Sequence, residues 1–194
     1  MKFQGRAWVL AAALFAASPA WAQSTIKIGW LSSLTGPLSS AAIAENKGVE
    51  FAVEEINAAG GVLGRKLELV TRDTAGDPTK AVSFAQQLVF SEKVHFVIGP
   101  VNSGETLATV PIVARAGVPN LIIGTIDELV DAKKYPRAFR AINTNRQWIE
   151  AANKYALEVL KKHNVAIIGD TSGYGTSSAK TATELLARAG VKPV

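Results

Sequence analysis

The chain has 194 residues, of which 48% are hydrophobic and 19% are charged, and its formal net charge is +5. This composition excludes a disordered chain, and the length suffices for one domain and part of a second. The absence of cysteine excludes disulfides and thiol chemistry. The basic residues form neither a run nor an aromatic-studded strand, so no nucleic-acid partner is predicted.

The N-terminal segment has the pattern of an export signal. The positively charged "MKFQGR" is followed by the apolar run "AWVLAAALFAA" and by "SPAWA", which ends in a small-x-small cleavage pattern. The apolar run is shorter than the roughly 20 residues that a membrane-spanning helix needs. We therefore predict a signal peptide over residues 1–22, cleavage before Gln23 and a mature protein in the bacterial periplasm.

Beyond Gln23 the sequence alternates between two periodicities. Short aliphatic segments bounded by Gly, Pro, Asp or Asn predict strands at 25–31, 66–70, 94–99, 119–124 and 165–169. Apolar residues at helical spacing predict helices around 49–56, 81–88 and 148–159. Because strand and helix alternate throughout, we predict an α/β fold with a parallel sheet and helices on both of its faces.

The alternation is interrupted once, near residues 137–147, where a short extended stretch precedes a new helix. We predict a domain boundary there. The N-terminal ligand-binding lobe would cover residues 23–142 and be nearly complete, while residues 143–194 would begin a second, incomplete lobe.

Three loops that follow predicted strands carry small and hydroxyl residues: "SSLTGP" (32–37), "GPVNSGE" (99–105) and "GTIDE" (124–128). In open parallel sheets, ligands bind beyond the carboxyl ends of the strands, where such loops meet. Asn102 or Ser103 would cap the next helix and leave backbone N–H groups and a hydroxyl facing the crevice, which suits a carboxylate. The alternative is a helix cap that binds no ligand.

Four segments carry a resemblance to a known family: "IKIGWLSSLTGP", "GVEFAVEEINAAGGVLGRKLELVTRDTAGDP", "VIGPVNSGETLATVPIVARAGVP" and "VAIIGDTSGYG". They resemble the type I periplasmic solute-binding proteins of the branched-chain amino-acid ABC transporter class. The resemblance implies two α/β lobes that close on a small ligand about a hinge. It also implies delivery of that ligand to an ABC-transporter permease in the inner membrane. Family members are longer, so the resemblance implies a truncated chain.

The resemblance also implies the residues of the binding site. Ser103 falls where the family places a serine whose hydroxyl and N–H hold the ligand carboxylate. Thr125 matches a threonine of the same site after a one-residue gap, and Tyr174 matches a second-lobe tyrosine that covers the ligand on closure. Asn102 and Gly124, which precede Ser103 and Thr125, complete the predicted site.

One departure bears on the ligand. Branched-chain amino-acid binders of this family carry an aromatic residue where this chain has "LSSAAIA" (38–44), which argues against a branched-chain amino acid. The predicted function is the substrate-binding component of an ABC importer for a small carboxylate-bearing solute, an amino acid or a related organic acid or amide, monomeric at full length. A ligand-sensing module of a signalling receptor is the alternative. No nucleophile, catalytic base, metal-ligand set or cofactor loop is found, so we predict neither an enzyme nor a cofactor.

Overall fold

A computed structural model describes residues 24–194 of the protein. The predicted signal peptide and its cleavage site lie outside the described residues. One parallel sheet with the strand order β2-β1-β3-β4-β5 organises the chain. Its strands are β1 (Ile26–Ser32), β2 (Leu67–Asp73), β3 (Phe96–Ile98), β4 (Asn120–Ile122) and β5 (Ala138–Arg140). The predicted α/β class with a parallel sheet is confirmed.

The helices of the described residues connect these strands and extend beyond the last one. They are α1 (Ser39–Ala58), α2 (Pro78–Gln86), α3 (Ser103–Arg115), α4 (Asn145–Lys154) and α5 (Gly173–Arg188). Five-residue π-helical segments, Gln87–Ser91 and Tyr155–Val159, extend α2 and α4. The Asp77 side chain caps α2 by accepting the Thr79 N–H at 2.7 Å, with Pro78 at the first helical position, the arrangement that an aspartate followed by proline predicts.

Both faces of the sheet are covered, as two neighbouring residues of β1 show. Successive side chains of a strand point to opposite faces, and Trp30 and Leu31 are both fully buried. The Trp30 indole N–H donates to Asn46 Oδ1 on α1 at 2.8 Å, whereas Leu31 packs in the apolar cluster formed with α2 and α3. Trp30 is therefore a core residue that fixes α1 on its face of the sheet.

One predicted strand is absent from the structure, and one strand of the structure is not predicted. Residues 165–169 form no strand in the structure, and Ile168 is 96% exposed. A strand needs a neighbour for its backbone groups, and this segment has no partner in the described sheet. Conversely, Ala138–Arg140, which the sequence suggests is only an extended boundary stretch, pairs with β4 as the last strand of the sheet.

The part of the chain beyond β5 has little core of its own. Among its described residues, the buried apolar side chains are Leu186 and Val191. Large apolar side chains remain exposed on α4, its π-helical extension and the segment after it: Trp148, Tyr155, Val159, Leu160 and Ile168. The boundary at residue 142 stays a prediction.

Candidate functional site

A cleft of about 640 Å³ lies beyond the carboxyl ends of the strands, where a doubly wound sheet binds its ligands. Its walls include four of the five predicted site residues: Asn102, Ser103, Thr125 and Tyr174. One wall comes from α1, α3 and the loops that follow β1, β3 and β4. The facing wall comes from the segment beyond β5. The structure therefore brings these four residues together, although they are up to 72 positions apart in the sequence.

The beginning of α3 separates the roles of Asn102 and Ser103. Asn102 is the cap, because its Oδ1 accepts the Gly104 N–H at 2.7 Å. Ser103 is 4% exposed, and its Oγ accepts the Thr125 N–H at 3.2 Å. A hydroxyl that accepts a hydrogen bond can still donate its own proton. The Ser103 hydroxyl is therefore available to donate to an anionic group.

Thr125 offers a second polar group at the same place. The residue is 8% exposed, and its Oγ1 is buried without a hydrogen-bond partner in the described residues. A buried hydroxyl left unpaired costs about 1–3 kcal/mol. A polar ligand group that bonds to Thr125 Oγ1 would recover part of that free energy.

Gly124 does not line the cleft but lies behind Thr125. A Cβ atom at Gly124 would lie 2.7 Å from Leu129 Cδ1, 2.9 Å from Thr106 Oγ1 and 3.3 Å from Ser103 Cα. Only glycine allows the loop after β4 to pack this closely against α3. That close packing places the Thr125 N–H at the Ser103 hydroxyl.

The beginning of α5 forms part of the facing wall. Ser172 caps this helix, with its Oγ accepting the Gly175 N–H at 3.1 Å, and the 40% exposed Tyr174 lines the cleft. The first turns of α5 and α3 approach closely, since a Cβ atom at Gly173 would lie 2.9 Å from Gly104 Cα. Two helix N-termini, each carrying partial positive charge, therefore meet at one cleft.

The carboxyl groups of the cleft distinguish these two helix ends. Asp170 Oδ1 accepts the Ser172 N–H at 2.8 Å, and hydrogen bonds from Ser172 hold the pKa of Asp170 below its ordinary value. The α5 end therefore already has a carboxylate of the chain itself. Among the described residues, the carboxyl groups that line the cleft are those of Asp170 and Glu45, and neither forms a hydrogen bond with the first turn of α3, so an anionic ligand group fits best beside Ser103. Glu45, on α1, also lines the cleft, and its burial raises its pKa.

Behind the cleft, a buried carboxyl group joins α3 to the loops after β1 and β2. Glu105 is fully buried, and its Oε2 accepts the Ser33 hydroxyl at 3.0 Å, while Ser33 Oγ lies 3.2 Å from Thr74 Oγ1. Burial raises the pKa of Glu105, against the opposing effect of the hydrogen bonds with Thr74 and Ser33. The negative charges of Asp77 and Asp73 raise it further.

Replacing Glu105 by glutamine is expected to stabilise the fold at neutral pH. The folded-state pKa is raised above the ordinary value of 4.5, so the stability that Glu105 contributes is complete below the unfolded-state pKa. That contribution is lost as the pH rises through the folded-state pKa. Glutamine stays neutral and its side-chain oxygen still accepts the hydrogen bond from Ser33.

Urea unfolding of both proteins at about pH 4 and about pH 8 measures the difference in their free energy of unfolding. We expect the advantage of Glu105→Gln to grow with pH; an equal difference at both pH values would contradict this account.

Several residues of the cleft are not among the predicted site residues. Trp148, the first residue of the helix predicted at 148–159, is 46% exposed and lines the cleft. Ser172, which lines the cleft, precedes Gly173 at a helix start, as Ser103 precedes Gly104, a signal that could have identified Ser172. Of the stretch at 38–44, Leu38 and Ala41 reach the cleft, so that stretch contributes no aromatic side chain to it. The other lining residues not singled out are Pro37, Glu45, Gly76, Val101, Ile123, Ile142 and Asp170.

Within residues 24–194, no group of three or more His, Asp or Glu side chains is arranged to hold a metal ion. None of the helices in this range combines the length and the apolar character needed to cross a membrane.

Comparisons with known proteins agree on one family. A family model described as periplasmic binding protein matches residues 25–194. The chain is 34% identical to the Leu/Ile/Val-binding protein BraC3 of Rhizobium johnstonii, over 89% of this chain and 47% of that protein. It is 32% identical to a leucine-, isoleucine-, valine-, threonine- and alanine-binding protein of Pseudomonas aeruginosa, over 91% of this chain and 47% of that protein. The structure matches a branched-chain amino acid transporter substrate-binding protein of Streptococcus pneumoniae, solved with isoleucine, with a TM-score of 0.77 and 33% identity over 88% of this chain and 48% of that one. The chain thus spans about half the length of these relatives.

Proposed function

Because this chain belongs to the periplasmic binding protein family, we propose that it serves as the substrate-binding component of an ABC importer for a small carboxylate-bearing solute. The observation that carries the proposal is the beginning of α3. There the Ser103 hydroxyl, the first N–H groups of the helix and the unpaired Thr125 Oγ1 meet at one side of the cleft. Binding at this place needs no catalytic group.

The ligand carboxylate would lie against the first turn of α3. Its oxygens would accept from the Ser103 hydroxyl and backbone N–H and from the Thr125 hydroxyl, with the helix dipole adding to the attraction. Tyr174, on the facing wall, would cover the ligand when the two sides of the cleft close. Asn102 and Gly124 would keep the first turn of α3 and Thr125 in place.

An amino acid is the ligand class that we propose first. The relatives are named for binding leucine, isoleucine, valine, threonine and alanine, and one structural neighbour was solved with isoleucine. The carboxyl groups of Asp170 and Glu45 line the same cleft and would attract an ammonium group. The absence of an aromatic side chain from residues 38–44 favours a ligand that needs no ring packed against α1.

The same family membership supports the proposed setting of the protein. An inner-membrane permease of the ABC class would receive the solute, and export by the signal peptide at residues 1–22 would place the protein in the periplasm. At full length we propose a monomer that closes on its ligand.

A thermal-shift screen tests the proposed function. The panel holds amino acids, aromatic acids and small organic acids, each with its amide or its decarboxylated amine as the matched control. We expect at least one acid to raise the melting temperature, because a ligand that binds only the folded state stabilises it, and its carboxylate-free counterpart to do so far less. Equal stabilisation by an acid and its carboxylate-free counterpart, or no stabilising acid at all, would contradict the proposal.

A further inference from the structure

Hydrogen bonds connect the predicted ligand residues on the two sides of the cleft through residues outside it. The Thr125 N–H donates to Ser103 Oγ at 3.2 Å, and the Thr125 carbonyl accepts the Asn145 N–H at 2.7 Å. Asn145 Nδ2 donates to Ser178 Oγ at 2.7 Å, and the Ser178 hydroxyl donates to the Tyr174 carbonyl at 2.6 Å. These four bonds, which we name the Asn145 bridge, lead from Ser103 to Tyr174 without a break.

The central residue of this bridge is rigidly held. Asn145 is 2% exposed and occupies the first position of α4. Thr144 and Gln147 close a capping box around it, with hydrogen bonds of 3.2 and 2.9 Å. A buried residue that forms hydrogen bonds with two neighbours holds them in a fixed relative position better than an exposed side chain does, because it has few other conformations. Asn145 therefore contacts the Thr125 loop with its backbone and α5 with its side chain.

A second polar link between the region of the Thr125 loop and α5 is weaker. Arg146 forms ion pairs with Asp127 at 3.4 Å and with Glu184 at 3.6 Å; the side chains of Arg146 and Asp127 are 33% exposed and that of Glu184 is 43% exposed. Partly exposed ion pairs are screened by solvent and tolerate several geometries. These ion pairs keep α5 near the Thr125 loop without fixing the position of Tyr174 relative to Thr125.

We propose that Asn145 and Ser178 are positioning residues that set the distance between Thr125 and Tyr174 across the ligand cleft. That the two walls bind a ligand between them rests on the proposed function, whereas the hydrogen bonds of the Asn145 bridge do not. Loss of the side-chain half of the bridge would leave the fold intact and let α5 move relative to the Thr125 loop. The ligand would then contact Thr125 or Tyr174, but not both together.

The test uses Ser178→Ala with two controls. Alanine favours helix more than serine does, so a purely structural role predicts little loss of stability. Ser178→Thr keeps a hydroxyl and should restore the bridge. Thr183 bonds the Ala179 carbonyl at 2.8 Å on the same helix, outside the bridge; Thr183→Ala therefore removes the same kind of bond as a matched control.

The first readout is the distance between α2 and α5, measured without ligand. Since the chain has no cysteine, spin labels can be attached to single cysteines placed at the exposed positions Lys80 on α2 and Arg188 on α5. Pulsed electron-electron double resonance should give a wider or shifted distance distribution in Ser178→Ala. It should give the wild-type distribution in Ser178→Thr and Thr183→Ala. An unchanged distribution in Ser178→Ala would overturn the proposal, whatever the ligand is.

The second readout is calorimetric titration with L-leucine. We expect Ser178→Ala to weaken binding about three- to tenfold, the worth of one hydrogen bond, with both controls at wild-type affinity. Failure of the wild-type protein to bind L-leucine would count against a branched-chain amino acid as the ligand and leave the distance measurement to decide the bridge. If the wild type binds and Ser178→Ala binds equally well, the proposed role in binding is wrong.

Asn145→Ala provides an independent variant. Alanine at the first helical position favours the helix and keeps the backbone bond to Thr125. It removes the side-chain amide that donates to Ser178. We expect the same change in distance distribution as in Ser178→Ala; a wild-type distribution would overturn the proposal.

Discussion

Replacing Ser103 by alanine is expected to weaken binding of the cognate acid by about 1.5–3 kcal/mol, the range for a hydrogen bond to a charged group. The ligand carboxylate would lose the donor that the structure leaves available at the first turn of α3. Stability should fall by about 1 kcal/mol, because the Thr125 N–H loses its acceptor. Calorimetric titration and urea unfolding of the same variant measure the two effects.

Thr109→Ala is the matched control for Ser103→Ala. Thr109 is a fully buried hydroxyl residue of the same helix, whose Oγ1 donates to the Glu105 carbonyl at 3.0 Å, and it does not line the cleft. Its replacement should lower stability and leave affinity unchanged. If Ser103→Ala behaves in the same way, Ser103 has only a structural role and the carboxylate site lies elsewhere.

Replacing Gly124 by alanine should damage both the fold and the site. The added methyl group would lie 2.7 Å from Leu129 Cδ1 and 2.9 Å from Thr106 Oγ1, so one of these groups or the loop itself must move. Overpacking of this kind costs about 1–3 kcal/mol of stability. Because Thr125 follows directly, its N–H would leave the Ser103 hydroxyl, and we expect affinity to fall by more than about tenfold.

Gly48→Ala separates this effect from a general response to a new methyl group. Gly48 lies in α1, and a Cβ atom there would meet no atom within 4 Å. Its replacement should stabilise the protein by about 0.5–1 kcal/mol, since alanine favours the helix, and should keep the wild-type affinity. A Gly124→Ala protein that matches Gly48→Ala in both measurements would show that the loop after β4 does not position the site.

The local patterns of the sequence were sufficient to predict four of the five strands of the described sheet. Aliphatic segments bounded by turn residues identified β1 to β4, and Asp77-Pro78 marked the start of α2. The loops that follow these strands had to meet at one edge because parallel strands place their carboxyl ends together. That rule alone predicts that the loops containing Ser103 and Thr125 line the same cleft.

The rest depended on tertiary contacts that no local pattern encodes. Residues 165–169 have the composition of a strand but find no partner, whereas the less regular Ala138–Arg140 pairs with β4. Glu105 resembles an exposed helical acid in the sequence, and only the packing of the loops after β1 and β2 makes it buried. Asn145 appeared only as part of a boundary stretch, because its role comes from partners 20 and 33 positions away.

The measurement that tests the central claim most directly is an amide NMR titration of the isotope-labelled protein with the acid that gives the largest thermal shift. We expect the backbone N–H signals of Ser103, Gly104 and Thr125 to move first and furthest, because the carboxylate would bind at the Ser103 N–H and hydroxyl and at the Thr125 hydroxyl, within or next to these residues. The matched amide of that acid should move them much less. Large shifts confined to other parts of the chain, such as the polar cleft lined by Asp127 and Lys180, with Ser103 and Thr125 unmoved, would contradict the claim that the carboxylate binds at the beginning of α3.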